Sequence, residues 1–388
     1  MDVSLFIAHR IKFRNRIASL AVAVSFLVMI IAVAISSGFR HEIRDSISDL
    51  SGDIQLTSAD VNWTGDTSPI EKTPSYIERL NSISGVESIE PCVYRGGIVK
   101  SGDNIHGVMF KGTERDSSLE GLGISVPRRL ASLLRISAGD KLTAYFVGEK
   151  VKTRKFTVRS IYDSMIDTDD NLLIYASLSD MQRINGWSRE SVSALEIHLQ
   201  PGRRDEKSVR AAAEEAGMAA LAFAGEDEAS VVASSSMSRY PQLYDWLNLI
   251  DFNVFFVLLL MTAVAGFNMI SGLLIMLFEN IPVIGILKSI GMKDRAISKT
   301  FLSAASSAVL KGMAGGNLIA FILCLVQSLT HVLKLDPDNY FVSFVPVHLD
   351  VLQILAADVA AYAVIMLLLL LPSLFISGVD PARTVRVG

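Results

Sequence analysis

The sequence predicts an α-helical membrane protein with four transmembrane helices plus a large extracytoplasmic α+β domain inserted between helices 1 and 2. Three observations predict it. Four apolar runs reach or approach the roughly 20 residues that cross a hydrocarbon core. Residues 40 to 251, between the first two runs, have an ordinary soluble composition, and Lys and Arg gather on one side of the spans. A hydrophobic content of 50% and a mean hydropathy of +0.40 fit such a mixed chain, high for a soluble protein and low for one made only of spans. A net charge of −4, with no basic stripe interleaved with aromatics, excludes nucleic acid as a partner.

Ile17 to Phe39 and Phe252 to Phe278 are uncharged, Gly312 to Thr330 is shorter, and Val359 to Val379 follows the single charge of Asp358. Arg10, Lys12, Arg14, Arg16, Lys288, Lys293, Arg295, Lys299, Arg383 and Arg386 flank one side, against Arg40, Arg44, Arg239 and Lys334 on the other. Ten against four puts both termini in the cytoplasm and the large insert outside. A cleaved signal peptide is the rival reading of the first run, but that run is long for one and Gly38-Phe39-Arg40 is a poor cleavage site.

The elements follow in order. Val3, Phe6, Ile7 and Ile11 recur at helical spacing, so residues 1–16 read as a cytoplasmic interfacial helix or a plain positive flank. The first span, 17–39, continues to about residue 50 as a charged stalk. Within the external domain, 51–237, "GDIQLTSA" alternates like a strand, and Thr73-Pro74 predicts a helix through Leu80. Residues 86–100 and 104–113 predict paired strands about a Gly102-Asp103 turn. A helix at Pro127 to Leu134 and strands at Lys141 to Val147, Thr153 to Tyr162 and Asn171 to Tyr175 come next. A helix at Leu178 to Asn185, a strand at Ala194 to Leu199 and a helix at Asp205 to Ala216 complete the domain. Residues 238–278 are a second stalk and the second span, 279–299 a cytoplasmic segment, 300–330 the third span, 331–350 an external loop, 351–379 the fourth span and 380–388 a cytoplasmic tail.

Chemistry-bearing motifs are few. No G-x-x-x-x-G-K-[ST] is present to cradle a nucleotide's phosphates. His41-Glu42 begins like a zinc-protease helix, but Asp45 stands where the second histidine must be. Asp167, Asp169, Asp170 and Asn171 resemble a calcium loop without its turning glycine, which is Leu172 here, and without its closing glutamate. No serine lies in a G-x-S-x-G elbow. Cys92 and Cys324 fall in different compartments and cannot form a bridge, and Asn62-Trp63-Thr64 is a short glycosylation pattern. The chain therefore reads as no enzyme, with no metal site and no cofactor of its own.

The segment "ENIPVIGILKSIGMKDRAIS", 279–298, carries the strongest signal. Ile284, Ile286, Leu287 and Ile290 form an apolar helical face beside Lys288, Lys293, Asp294 and Arg295, and Gly291 breaks the pattern between two short helices. Such a face needs a protein groove or lipid headgroups to cover it. Gly312 and Gly316 form a G-x-x-x-G for close helix packing, internal or between subunits.

Several stretches together resemble a family. "SGFRHEIRDSISDLSGDIQL" (37–56), "PRRLASLLRISAGDKLT" (127–143), "ILKSIGMKDRAI" (286–297), "YFVSFVPVHLD" (340–350) and the terminal "PARTVR" resemble the permease subunits of bacterial lipoprotein-releasing ABC transporters, LolC and LolE, within the wider MacB and FtsX superfamily. The resemblance implies a bacterial inner-membrane protein with its large domain in the periplasm. It further implies that 279–299 is a coupling helix docking on a separate cytoplasmic ATPase, two copies of which bind ATP and magnesium. Ile286, Leu287, Ile290 and Met292 would make the apolar contact about the Gly291 break, with Lys288 and Arg295 at the rim. The remaining partners implied are a second permease, as homodimer or heterodimer, an acylated lipoprotein cargo, membrane lipid and a periplasmic lipoprotein chaperone. Phe26, Met29 and Ile30 with Phe255, Phe256 and Leu259 are the candidate lining of a cavity for the cargo's acyl chains, or ordinary span packing. Two departures stand out: Pro282 and Val283 replace the usual Arg and Glu before the Ile-Gly pair, and only Gly148, Glu149 and Lys150 occupy the place of the long chaperone-docking hairpin of LolC-type subunits. A MacB-like exporter of peptides or small molecules and an FtsX-like signalling protein are the alternative functions within the superfamily.

Overall fold

The computed structural model describes residues 16–60, 68–102, 104–148, 151–163, 172–336, 340 and 342–373. The expected interfacial helix before Arg16, the tail 380–388, Asn62-Trp63-Thr64, Asp103, Glu149-Lys150 and the Asp167 to Asn171 cluster lie outside the described residues.

In chain order the elements are α1 (Arg16–Ser51), β1 (Ile54–Ser58), β2 (Ile70–Glu71), α2 (Ile77–Asn81), β3 (Val86–Ser101), β4 (Asn104–Thr113), β5 (Gly123–Pro127), α3 (Arg128–Leu134), β6 (Lys141–Phe146), β7 (Lys152–Tyr162), β8 (Leu173–Ser177) and α4 (Leu178–Asn185). They continue as β9 (Ser191–Val192), β10 (Ala194–Leu199), α5 (Glu206–Phe223), β11 (Val231–Ser235), α6 (Ser236–Arg239), α7 (Pro241–Glu279), α8 (Ile281–Ser289), α9 (Asp294–Thr330) and α10 (Val351–Ser373). α1, α7, α9 and α10 are long and apolar enough to cross a membrane. The chain divides into a membrane unit, from residues up to 40, 246–333 and 345 onward, and an insert unit of 41–245 and 334–344.

In the membrane unit α1 buries Ala18, Val22, Phe26, Met29 and Val33, a helical stripe. α9 lies against that stripe through its small residues. A Cβ at Gly312 would sit 2.9 Å from Ser19 O, and one at Gly316 would overlap Ala23 O. The G-x-x-x-G therefore serves packing within the chain, letting two backbones approach closely. The outer end of α1 is fastened to α7: Ser36 Oγ donates to Asp251 Oδ1 (2.6 Å), Arg40 pairs with the same carboxylate, and Phe39 meets Trp246 edge-on at 5.4 Å. Gly38 leaves room for Pro346 O, while His348 N donates to Ala34 O (3.0 Å). Two of the stretches that carry the family resemblance, "SGF" and "FVPV", are thus in contact.

The insert unit is α+β, as expected. β3, sixteen residues long, serves two sheets. Its first half pairs with β10, and β11-β1-β10-β3 forms an antiparallel layer. Its second half pairs with β4 and, over Ile98 to Lys100, with β6. That last pairing closes β3-β4-β8-β5-β7-β6 into a ring, leaving these strands no free edge. Inside it Phe110 meets Phe146 and Phe156 at 5.0 and 5.2 Å. α5 covers the open layer with Val209, Ala212, Ala213, Ala216 and Ala220.

Several boundaries differ from the sequence expectation. α2 starts at Ile77 because Pro74 forms a turn instead, its carbonyl accepting from Ile77 N (3.0 Å). α5 runs seven residues past Ala216, since its alanine stripe continues to face the sheet. β5 escapes a period-two reading because all five residues are buried. The third-span helix begins at Asp294 and is continuous, so no second short helix follows Gly291. The fourth begins at Val351, so Asp358, which precedes the uncharged run from Val359, lies inside the helix.

Gly316→Leu should lower the thermal stability of the purified protein by about 1–3 kcal/mol, the usual cost of overpacking. Gly315→Leu, where a Cβ meets nothing within 4 Å, should leave the melting curve unchanged.

Candidate functional site

The segment singled out in the sequence is α8 and the turn into α9. Pro282 occupies the first turn of α8, where its missing N–H costs nothing. The helix stops in a Schellman arrangement: Met292 N donates to Leu287 O (3.0 Å) and Gly291 N to Lys288 O (2.9 Å), with Gly291 at φ +90°. Only glycine takes that conformation without strain, so the break at Gly291 is a sharp reversal.

The expected apolar face divides in two. Ile284 is buried in the membrane unit's core with Leu277, Ile297 and Phe301, and Leu287 and Met292 are half-buried against it. Ile286 and Ile290 point the other way, 54% and 78% exposed, with Pro282 and Val283 exposed one turn earlier. Leu287 and Met292, expected to face outward, are thus also anchors of the segment. Lys288 is an anchor too. Its ammonium lies 3.0 Å from Asp294 Oδ1 and its side chain is mostly covered, so it fastens α8 to α9 across the turn. Lys293 and Arg295 remain as exposed cations beside Ile290.

The candidate cavity lining divides the same way. Phe26, Met29 and Ile30 are buried, consumed in packing α1 against its neighbours, and are withdrawn as lining residues. Phe255, Phe256 and Leu259 are exposed along α7 together with Phe252 and Leu260, and Phe252 stacks edge-on against Phe256 at 4.8 Å.

A second construction, absent from the sequence reading, surrounds the C-terminus of α1 in the insert unit. The helix ends with Gly52 at φ +67°, Gly52 N returning to Ser48 O (2.8 Å). Three cations then take its last carbonyls: Lys111 Nζ donates to Leu50 O (2.7 Å), Arg239 to Ser51 O (2.8 Å) and Gly52 O (2.6 Å), and Arg115 reaches Asp49 O at 3.5 Å. Cations at a helix C-terminus are favoured by its partial negative charge. Lys111 is fully buried and paired at 2.7 Å with the equally buried Glu196, whose other oxygen accepts from Tyr94 OH. Arg204 adds a bridge to Asp45 (2.8 Å), and Ser48 Oγ and Leu199 N donate to Asp53 Oδ2, both at 2.8 Å.

The charges of this cluster are mutually adjusted. Burial alone would lower the Lys111 ammonium, but the Glu196 carboxylate holds it above its ordinary value. Burial pushes the Tyr94 hydroxyl and the Cys92 thiol well up, and the Glu196 charge adds to both. Burial lowers His198, against the pull of Glu90. A cavity of about 250 Å³ adjoins the clamp, lined by Leu50, Ser51, Gln55, Tyr94, Met109, Leu173, Arg239 and Tyr240. Among the described residues no group of His, Cys, Asp and Glu could hold a metal.

This arrangement can be compared with known proteins. The family model of the MacB-like periplasmic core domain matches residues 17–216, and that of the FtsX-like permease C-terminal matches 255–381, which includes α8. The chain belongs to the MacB/FtsX superfamily, as a LolC/LolE-type permease. It is 22% identical over 404 residues to the "lipoprotein-releasing system transmembrane protein LolC" of Xylella fastidiosa, covering 97% of this chain and 94% of that one. It is also 22% identical over 404 residues to the protein named LolE in Haemophilus influenzae, covering 95% and 93%. Among solved structures, the periplasmic region of MacB from Actinobacillus actinomycetemcomitans is 11% identical, at a TM-score of 0.32 over 51% of this chain and 95% of that one.

In the permease the insert is the MacB-like periplasmic core domain, and the clamp fixes where its first helix ends. Sequence signals for the clamp were faint: Lys111 and Glu196 sit at positions that alternation assigns to solvent. Lys111→Met should destabilise the permease by about 3–5 kcal/mol by stranding Glu196 in the interior. Lys111→Met with Glu196→Leu should recover most of that loss, measured as denaturation midpoints of the full chain in detergent.

Proposed function

We propose that the permease is the membrane subunit of an ATP-driven transporter that takes lipoproteins from the outer leaflet of a bacterial inner membrane for delivery to the outer membrane. The observation that carries this reading is the division of α8: one side is locked to the span core by Ile284, and the other presents Ile286 and Ile290, uncovered among the described residues. Exposed apolar residues at i and i+4 on a short, fixed helix suit a groove on a partner protein. The sequence contains no phosphate-cradling loop of its own, so the partner is a separate cytoplasmic ATPase. Two copies, binding ATP and magnesium, serve a pair of permeases. Lys293 and Arg295 supply the rim of the contact.

The task requires coupled force. Moving an acyl chain from bilayer to water costs about 0.8 kcal/mol per methylene, on the order of 10 kcal/mol per chain. The cargo must therefore be offered apolar surface, and the exposed Phe255, Phe256 and Leu259 provide it on α7. ATP-driven movement at α8 reaches the spans through Ile284. It passes outward along α1, a single helix from Arg16 to Ser51, whose end the clamp grips. The relatives named for lipoprotein release support this cargo over peptides or small molecules.

Ile290→Asp should abolish co-purification of the ATPase and cut lipoprotein release at least tenfold, with the melting temperature unchanged because the side chain is exposed. Retained ATPase attachment in that variant would contradict the docking. Release of an unacylated protein as fast as its acylated form would instead favour a general exporter.

A further inference from the structure

The fourth span carries one acidic residue, and the proposed transport cycle does not use it. Asp358 is the eighth residue of α10, about 10 Å along the helix from its start. It is 7% exposed on the stripe that also buries Ala361, Ile365 and Leu369. Asn317 of α9 donates from Nδ2 to Asp358 Oδ2 at 2.6 Å. The two remaining oxygens, Asp358 Oδ1 and Asn317 Oδ1, are both buried and both without a partner.

Counting hydrogens gives the reason. An ionised carboxylate only accepts, and an amide oxygen only accepts, so among the described residues two buried acceptors are left with no donor, which is costly inside a span. A hydrogen carried on Asp358 Oδ1 would supply the missing donor. We propose that Asp358 is a proton-binding site: Oδ1 carries a hydrogen and donates it to Asn317 Oδ1, while Asn317 Nδ2 donates to Oδ2. The result is a closed, neutral acid–amide pair joining α9 to α10. It also removes the charge, the costly feature of an acid inside a span.

Among the described residues the neighbouring elements offer Asp358 no ion-pair partner. α9 carries Lys311 and Cys324 on either side of Asn317. α10 carries Tyr362, whose hydroxyl is 2.7 Å from Ser306 Oγ. On α7, Asp251 is occupied by Arg40. Among the described residues only Asn317 hydrogen-bonds Asp358, and no side chain ion-pairs with it. The proton is therefore the ligand of this site, and its loss would leave a bare charge between two spans.

Infrared difference spectroscopy of the full chain in lipid nanodiscs tests this at neutral pH. Wild type should show a protonated-carboxyl carbonyl band that is absent from Asp358→Asn and shifts on deuteration. Asn317→Ala should move that band to higher frequency, as its hydrogen-bond partner is lost. Carboxylate bands alone in the wild-type minus Asp358→Asn spectrum would overturn the proposal. A band unmoved by Asn317→Ala would also overturn it, since the proton would then be shared with some other group. Should Asp358→Asn fail to accumulate, the wild-type and Asn317→Ala spectra decide the matter between them.

Discussion

A nine-residue helix is too short to persist in water on its own, so α8 exists because Ile284 is driven into the core formed by the spans. The proposed docking of a partner at α8 depends on that one burial. It fixes the rotation of α8, and the rotation decides that Ile286 and Ile290 face away. The Schellman turn at Gly291 and the Lys288–Asp294 bridge complete the fixation at the other end. A knob held so firmly loses little conformational entropy when a partner covers it, which favours binding.

The same economy appears at the far end of α1. A helix that ends in a buried place must find donors for its last carbonyls, and here the donors are charged. Lys111 and Arg115 come from the end of β4 and the turn after it, and Arg239 from a distant part of the insert unit's chain, so a shift of the helix end would disturb both. Glu196 keeps the buried ammonium neutralised. A clamp of this kind transmits displacement instead of absorbing it, and it suits a protein that would work by movement.

Much of the fold was legible because its residues follow simple periods. The four spans follow from uncharged length, and β3 with β4 from alternation about a Gly102 turn. α4 and β10 match the expected boundaries residue for residue. What was not legible has a common cause, which is burial from an unexpected side. Lys111 lies on the face of β4 opposite Phe110, a face that alternation gives to solvent, yet the end of α1 covers it. Glu196 and His198 share the polar face of β10, and every residue of that strand is buried. Asp358 precedes the uncharged run from Val359, yet it is buried inside α10. At α8, composition revealed an apolar helix but could not divide it, since Leu287 and Ile290 differ only in which way the core turns them. Gly38 carried a usable signal, a costly glycine inside a long helix, and the close approach of Pro346 explains it.

The division of α8 is the central claim, and site-specific photo-crosslinking in the intact membrane tests it most directly. A photoreactive residue placed in turn at positions 284, 286 and 290 should capture an ATPase subunit from 286 and 290 and none from 284. Capture from 284 alone, or from none of the three while an ATPase co-purifies with the permease, would contradict the account.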